Sequence, residues 1–224
     1  MEFRRPIATA LLAVTLVAAP ASAAKPPVEW DGLQRVASKR MDLVYVQPGA
    51  DFRGYTKVIV EPTEVAFRKS WARDYNSSNR SLSQRVSDRE VEETISAGIV
   101  AASDIFTKAW REGGYEIVSV PGPDVLRVRT GIVNISVSAP ERQTSARTYS
   151  FSNEAGHATL VLEAKDSLTG ALLGRAVDQQ IAGDSTVGWR TRASNRSDFA
   201  DVVETWAKDA VRGLGELKAL SPAR

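Results

Sequence analysis

Behind Ser87 and Glu90, which have the spacing of a capping box, apolar residues recur at three- and four-residue steps: Val91, Ile95, Ile99, Ala102, Phe106, Ala109 and Trp110. Gly113 and Gly114 then interrupt the pattern. This is the periodicity of an α-helix with one buried face, started by a reciprocal side-chain cap and stopped by glycine. The stripe constrains the rest of the chain, because it must lie on an apolar surface that other segments supply.

Those segments alternate with period two. Residues 55–61 place Val58 and Val60 on one face and Lys57, Ile59 and Glu61 on the other, with Pro62 ending the run. Residues 115–120 form a strand, and a rigid Pro-Gly-Pro-Asp turn at 121–124 leads into a longer one over 125–138. There Leu126 and Val128 share one parity while Val133, Ile135 and Val137 share the other, so the phase flips near Gly131, as at a glycine bulge. A hairpin follows, with strands on either side of the turn at 166–170. A closing helix carries Phe199, Val203, Trp206, Ala210, Leu214 and Leu217 on one face, with Ser197 as its expected N-cap.

Strand, helix, four strands, helix predicts an α+β fold: a mixed, mainly antiparallel sheet of about five strands with two helices packed on one face. The first strand-helix-strand unit calls for a parallel pair. Residues 68–86 and 183–196 are polar, lack apolar periodicity, and are expected as exposed loops. Residues 25–54 are expected as an extended N-terminal arm, with a short strand-like patch at 44–46, and residues 55–220 as a single domain.

The first 24 residues have the layout of a signal peptide. Arg4 and Arg5 precede an uncharged stretch at 7–19, shorter than the ~20 residues a spanning helix needs. Pro20 and the small residues 21–24 follow, so cleavage is expected after Ala23 or Ala24, with release to the periplasm or exterior. The chain has no cysteine, which excludes both disulfides and a lipid-modified thiol. Loss of Glu2, Arg4 and Arg5 with the leader takes the formal net charge from +2 to about +1, which is no footprint for nucleic acid.

Four segments resemble the bacterial envelope family catalogued as domain of unknown function 3313. They are residues 43–49 (LVYVQPG) leading to 55–62 (YTKVIVEP), residues 121–129 (PGPDVLRVR), the hairpin at 162–170 (LEAKDSLTG) running on to Asp178, and the final helix around Trp206. The resemblance implies a small envelope protein without an assigned activity, and it carries over no catalytic residues. Such proteins are commonly lipid-anchored through a cysteine after the signal, whereas this chain has Ala23, Ala24 and Lys25 there.

Candidate chemistry is sparse. The single histidine, His157, has no orienting carboxylate in its neighbourhood of the sequence, so no nucleophilic triad can be named. With no cysteine to join it, zinc sites built from Cys and His are excluded. No glycine-rich phosphate motif points to a nucleotide cofactor. Glu163, Asp166 and Asp178 could gather around one hairpin as an acid/base or cation site, but Asp166 sits where a turn wants a side chain bonding its own backbone.

Both polar loops carry a tryptophan among arginines, Trp71 with Arg73 in the first and Trp189 with Arg190 and Arg192 in the second. Exposed indoles stack on sugar rings and arginine pairs with carboxylate or phosphate, so these five residues form a candidate surface for an anionic envelope glycan or an envelope protein. The plainer alternative has each tryptophan folding onto the core and each arginine solvated. The sequence thus points to a non-catalytic periplasmic binding or assembly module. The competing expectation is a hydrolase of envelope material using carboxylates or a serine.

Overall fold

The computed structural model describes residues 25–78, 85–137, 150–152, 156–182, 188–190 and 192–221. Residues 1–24, with Ala23 and Ala24, lie outside the described residues. The fold is α+β, as expected, but richer: the described residues form a nine-stranded mixed sheet, a separate two-stranded ribbon and three helices, where about five strands and two helices were expected.

The N-terminal segment is part of the sheet. β1 (Glu29–Trp30), β2 (Leu33–Val36) and β3 (Leu43–Val46) pair antiparallel in succession, and β3 continues onto β10 (Leu172–Ala182). β10 pairs with β9 (Gly156–Asp166), which pairs with β7 (Val125–Val137), all antiparallel. Beyond β7 the sheet turns parallel, with β4 (Lys57–Val60) beside it, β6 (Glu116–Ile117) at the edge, and β5 (Glu64–Phe67) on the distal half of β7. The strand-helix-strand unit therefore forms the parallel pair expected of it. β8 (Ser150–Ser152) and β11 (Gly188–Arg190) make the ribbon.

The phase flip in β7 falls three residues later than the sequence suggested. Leu126, Val128, Thr130 and Ile132 are buried on one parity and Ile135 on the other, and the register against β9 shifts between Val133 and Ser136. Asn134 sits at this bulge with φ of 55°, a left-handed conformation that asparagine tolerates better than most residues. Gly131 stays in register opposite Val161. Thr130 keeps an inward position by sharing a 2.8 Å hydrogen bond with Thr63.

α1 (Trp71–Ser78) occupies part of the segment expected as a loop. α2 (Asp88–Glu112) begins with the capping box: Ser87 Oγ accepts from Glu90 N–H, and the Glu90 carboxylate accepts from Ser87 N–H at 2.8 Å. α3 (Arg192–Leu220) starts five residues before Ser197, so that serine lies within the helix instead of capping it.

α2 and α3 pack side by side on one face of the sheet, burying Phe106, Trp110, Trp206, Ala207 and Leu214 against Val58, Leu126, Val128, Ile132, Leu160 and Ala176. At their crossing a Cβ on Gly113 would come within 2.3 Å of Val211 Cγ1. The opposite face is a lattice of ion pairs, including Arg127 with Glu61 at 2.9 Å, Arg175 with Glu163 at 2.8 Å and Arg129 with Glu64. There the N-terminal segment is fastened down: Tyr45 Oη donates to Pro27 O at 2.9 Å, and the Arg175 guanidinium lies 4.3 Å from the Trp30 ring centroid.

Candidate functional site

A cleft of about 330 Å³ opens between the second half of α3 and the strands. Its floor is the helix-facing parity of β3, β10, β9 and β7, including Val44, Leu126, Leu162, Ala164, Gly174 and Ala176, and its roof includes Ala210, Gly213, Leu214 and Leu217. At Gly213 an added Cβ would meet nothing within 4 Å. Glycine in a helix interior costs about 1 kcal/mol relative to alanine, so this position gives up helix stability and leaves the space empty.

The lining is mainly apolar, and charged groups stand at its rim. Arg40, from the turn between β2 and β3, reaches across to α3, donating from Nε to Glu216 Oε1 at 2.9 Å and from Nη1 to Asp209 Oδ1 at 3.2 Å. Arg212 Nη1 approaches the same Asp209 oxygen at 3.9 Å. At the end of the helix, Ser221 Oγ accepts from Phe52 N–H at 3.0 Å and donates to Leu217 O at 2.8 Å, tying the loop after β3 to the roof. Val36 and Leu220 also line the cleft, yet are 37% and 81% exposed, so its apolar surface continues out to water.

Trp110 contributes to the same lining, and its buried Nε1 has no hydrogen-bond partner among the described residues. Its ring packs edge-on against Tyr115 with centroids 5.2 Å apart. Lys218 Nζ covers Tyr115 at 4.5 Å and donates to Tyr55 O at 2.7 Å, closing the cluster below the cleft.

The residues singled out in the sequence lie elsewhere. Trp71 is 4% exposed, stacked between Phe67 and Tyr75 with centroids 4.5 and 5.7 Å away, so of the two alternatives the indole folded onto the core is the one found there, and Trp71 offers no exposed ring to a ligand. Arg73 is solvated, with Asp74 3.6 Å away. Trp189 and Arg190 belong to β11, where Trp189 is in register with Phe151, and Arg192 opens α3; the side chains of these three lie outside the described residues. His157 is on β9 between Ser136 and Ile181 of the neighbouring strands.

The three carboxylates do not form one site. Asp166 Oδ1 accepts from the backbone of Leu168 and Thr169 at 3.1 and 2.8 Å, and Oδ2 from Tyr55 Oη at 2.8 Å. Those bonds, led by the Thr169 N–H, hold its carboxyl below the usual range. Burial and the neighbouring carboxylate together push the Tyr55 phenol up. At Glu163 burial works against ionisation, but the hydrogen bonds from Arg175 and Lys165 outweigh it and hold the carboxyl low. Asp178, 3% exposed, accepts from Asp42 N–H, Gln180 Nε2 and the Trp206 indole at 2.9, 2.8 and 2.8 Å. Neither Glu163 nor Asp178 lines the cleft.

Among the described residues, no three His, Cys, Asp or Glu side chains come together as a metal site would require. No described helix is long and apolar enough to cross a membrane. Arg40 and Gly213, which define the rim and roof of the cleft, were not singled out in the sequence. The one signal that could have marked Gly213 is a glycine beside the apolar stripe of a long helix.

The family model for DUF3313, described as a protein of unknown function, matches residues 23–210. No curated protein matches the chain. Similar solved structures include a PelC dodecamer from Paraburkholderia phytofirmans, 14% identical, covering 76% of this chain and 97% of that one with a TM-score of 0.37. A DUF330 protein from Xanthomonas campestris is 9% identical over 78% and 94% of the two chains, with a TM-score of 0.35. A neuraminyllactose-binding hemagglutinin homologue from Helicobacter pylori is 9% identical over 77% and 92%, with a TM-score of 0.34.

Proposed function

The chain belongs to the DUF3313 family, and we propose that this member is an exported envelope protein that binds an apolar ligand in the cleft beneath α3 without converting it. On this reading the leader is removed after Ala23 or Ala24, and the folded domain works in the periplasm or outside the cell. The observation that carries it is the cleft: a concave, mainly apolar space with charged groups at its rim, at the low end of the ~300–1,000 Å³ of small-molecule sites. Gly213 lies in its lining with nothing within 4 Å of where a Cβ would stand, so the space beside it is open.

The carboxylates that could serve a hydrolase are committed to the fold instead. Asp178 joins a strand to a helix, Asp166 builds its own turn, and Glu163 pairs with two cations.

The test uses the protein recovered from the exported fraction. Its N-terminal mass should place the processing site after Ala23 or Ala24, and an environment-sensitive apolar fluorophore should bind with saturable enhancement. Gly213→Leu, which puts a side chain into the cleft, should abolish the enhancement. Gly215→Leu, on the same helix but off the cleft lining, should preserve it. Unprocessed protein retained in the cytoplasm would sink the exported role. Equal enhancement in the two variants would sink the cleft as the site.

A further inference from the structure

Resting on the binding reading above, we infer that the cleft takes a single-chain amphiphile with a zwitterionic headgroup, the chain lying between α3 and the sheet and the head at Arg40. The volume suits one hydrocarbon chain, and the lining is mainly apolar, with the small residues Ala176 and Gly213 part of it. Apolar lining continuing out past Leu220 gives the chain an entry from water.

The rim sets the head. One guanidinium stands between two carboxylates, Asp209 at 3.2 Å and Glu216 at 2.9 Å. Arg40 has five N–H donors in its fork, and the two acidic partners engage three of its nitrogens by single contacts, leaving N–H groups for an anionic oxygen. Glu216 is 54% exposed and can face an ammonium without leaving Arg40. A purely anionic head would meet Arg40 but also both carboxylates, and a purely cationic one would meet the guanidinium. A head carrying phosphate and ammonium side by side complements both.

The experiment displaces the fluorophore from the exported protein with compounds sharing one chain: myristoyl lysophosphatidylethanolamine, myristate and monomyristoylglycerol. The zwitterionic lipid should bind roughly tenfold tighter than the other two, as charge-assisted hydrogen bonds imply. Shortening its chain by two methylenes should weaken binding by about tenfold. Arg40→Gln should bring the lysolipid down to the affinity of the monoglyceride. Equal affinities for the three headgroups would overturn the inference, as would failure of every myristoyl compound to compete. In that last case fluorophore binding that still responds to Gly213→Leu leaves the cleft as a binding site, so the two claims fail separately.

Discussion

The indole Nε1 of Trp206 donates to Oδ2 of Asp178 across 2.8 Å, joining the middle of α3 to an inner strand of the sheet. The same carboxylate accepts from Asp42 N–H, and the Asp42 carboxylate accepts in return from Gln179 N–H at 3.1 Å, so the turn before β3 is fastened at the same point. Three parts of the fold that flank the cleft thus meet at one buried acid.

Asp178→Ala removes that acceptor and leaves three donors without it. Of these only the Trp206 indole is fully buried, and a buried orphan donor costs about 1–3 kcal/mol, so the substitution is expected to destabilise by about 1–3 kcal/mol, read as a lower urea midpoint at unchanged slope. A loss below about 1 kcal/mol would contradict the role given to this residue.

The two large buried tryptophans under the helices should respond differently to the same change. Trp206→Phe breaks a charge-assisted hydrogen bond and leaves a buried carboxylate short of a partner, whereas Trp110 Nε1 has no partner to lose among the described residues. Chemical denaturation should show the larger loss for Trp206→Phe. The reverse order would mean that packing volume, and not the hydrogen bond, decides at these sites.

A pair of glycines separates open space from close packing. Gly213→Ala adds helix propensity where nothing obstructs the methyl group and should stabilise by up to about 1 kcal/mol. Gly113→Ala forces its methyl group against Val211 and should destabilise by about 1–3 kcal/mol. Thermal unfolding of the two variants beside the parent protein distinguishes these signs.

Acid should weaken the far face of the sheet through Glu163. Its carboxyl is held below the ordinary 4.5 in the folded state, so its contribution is present above that value and is lost as pH falls through the lower folded one. The stability gap between the parent and Glu163→Gln should therefore be widest near neutrality and shrink on acidification. A gap that grows as pH falls would contradict the ion pairs with Arg175 and Lys165.

Local signals accounted for what was legible in the sequence. The capping box of Ser87 and Glu90 and the stripe ending at Trp110 define α2 without help from the rest of the chain. The Asp166 turn was legible because aspartate there bonds its own backbone, whatever surrounds it. Of the first three strands only β3 was legible, as the patch at 44–46; β1 and β2 are short and held by pairing in succession onto β3, which no local pattern encodes. Asn134 took the bulge that Gly131 seemed to offer because partner register, and not glycine content, fixes where the strand must slip. α1 escaped notice because its stability comes from Trp71 packing with Phe67, not from periodicity of its own. The cleft is a property of how α3 sits over the sheet, which no local pattern encodes.

The most direct test is an NMR measurement of contacts between the chain methylenes of myristoyl lysophosphatidylethanolamine and assigned methyl groups of the exported protein. Nuclear Overhauser effects to Ala176, Ala210 and Leu214, all lost in Gly213→Leu and kept in Gly215→Leu, are the predicted result. Contacts confined to exposed apolar residues away from the cleft, such as Val120 and Leu168, would contradict the account.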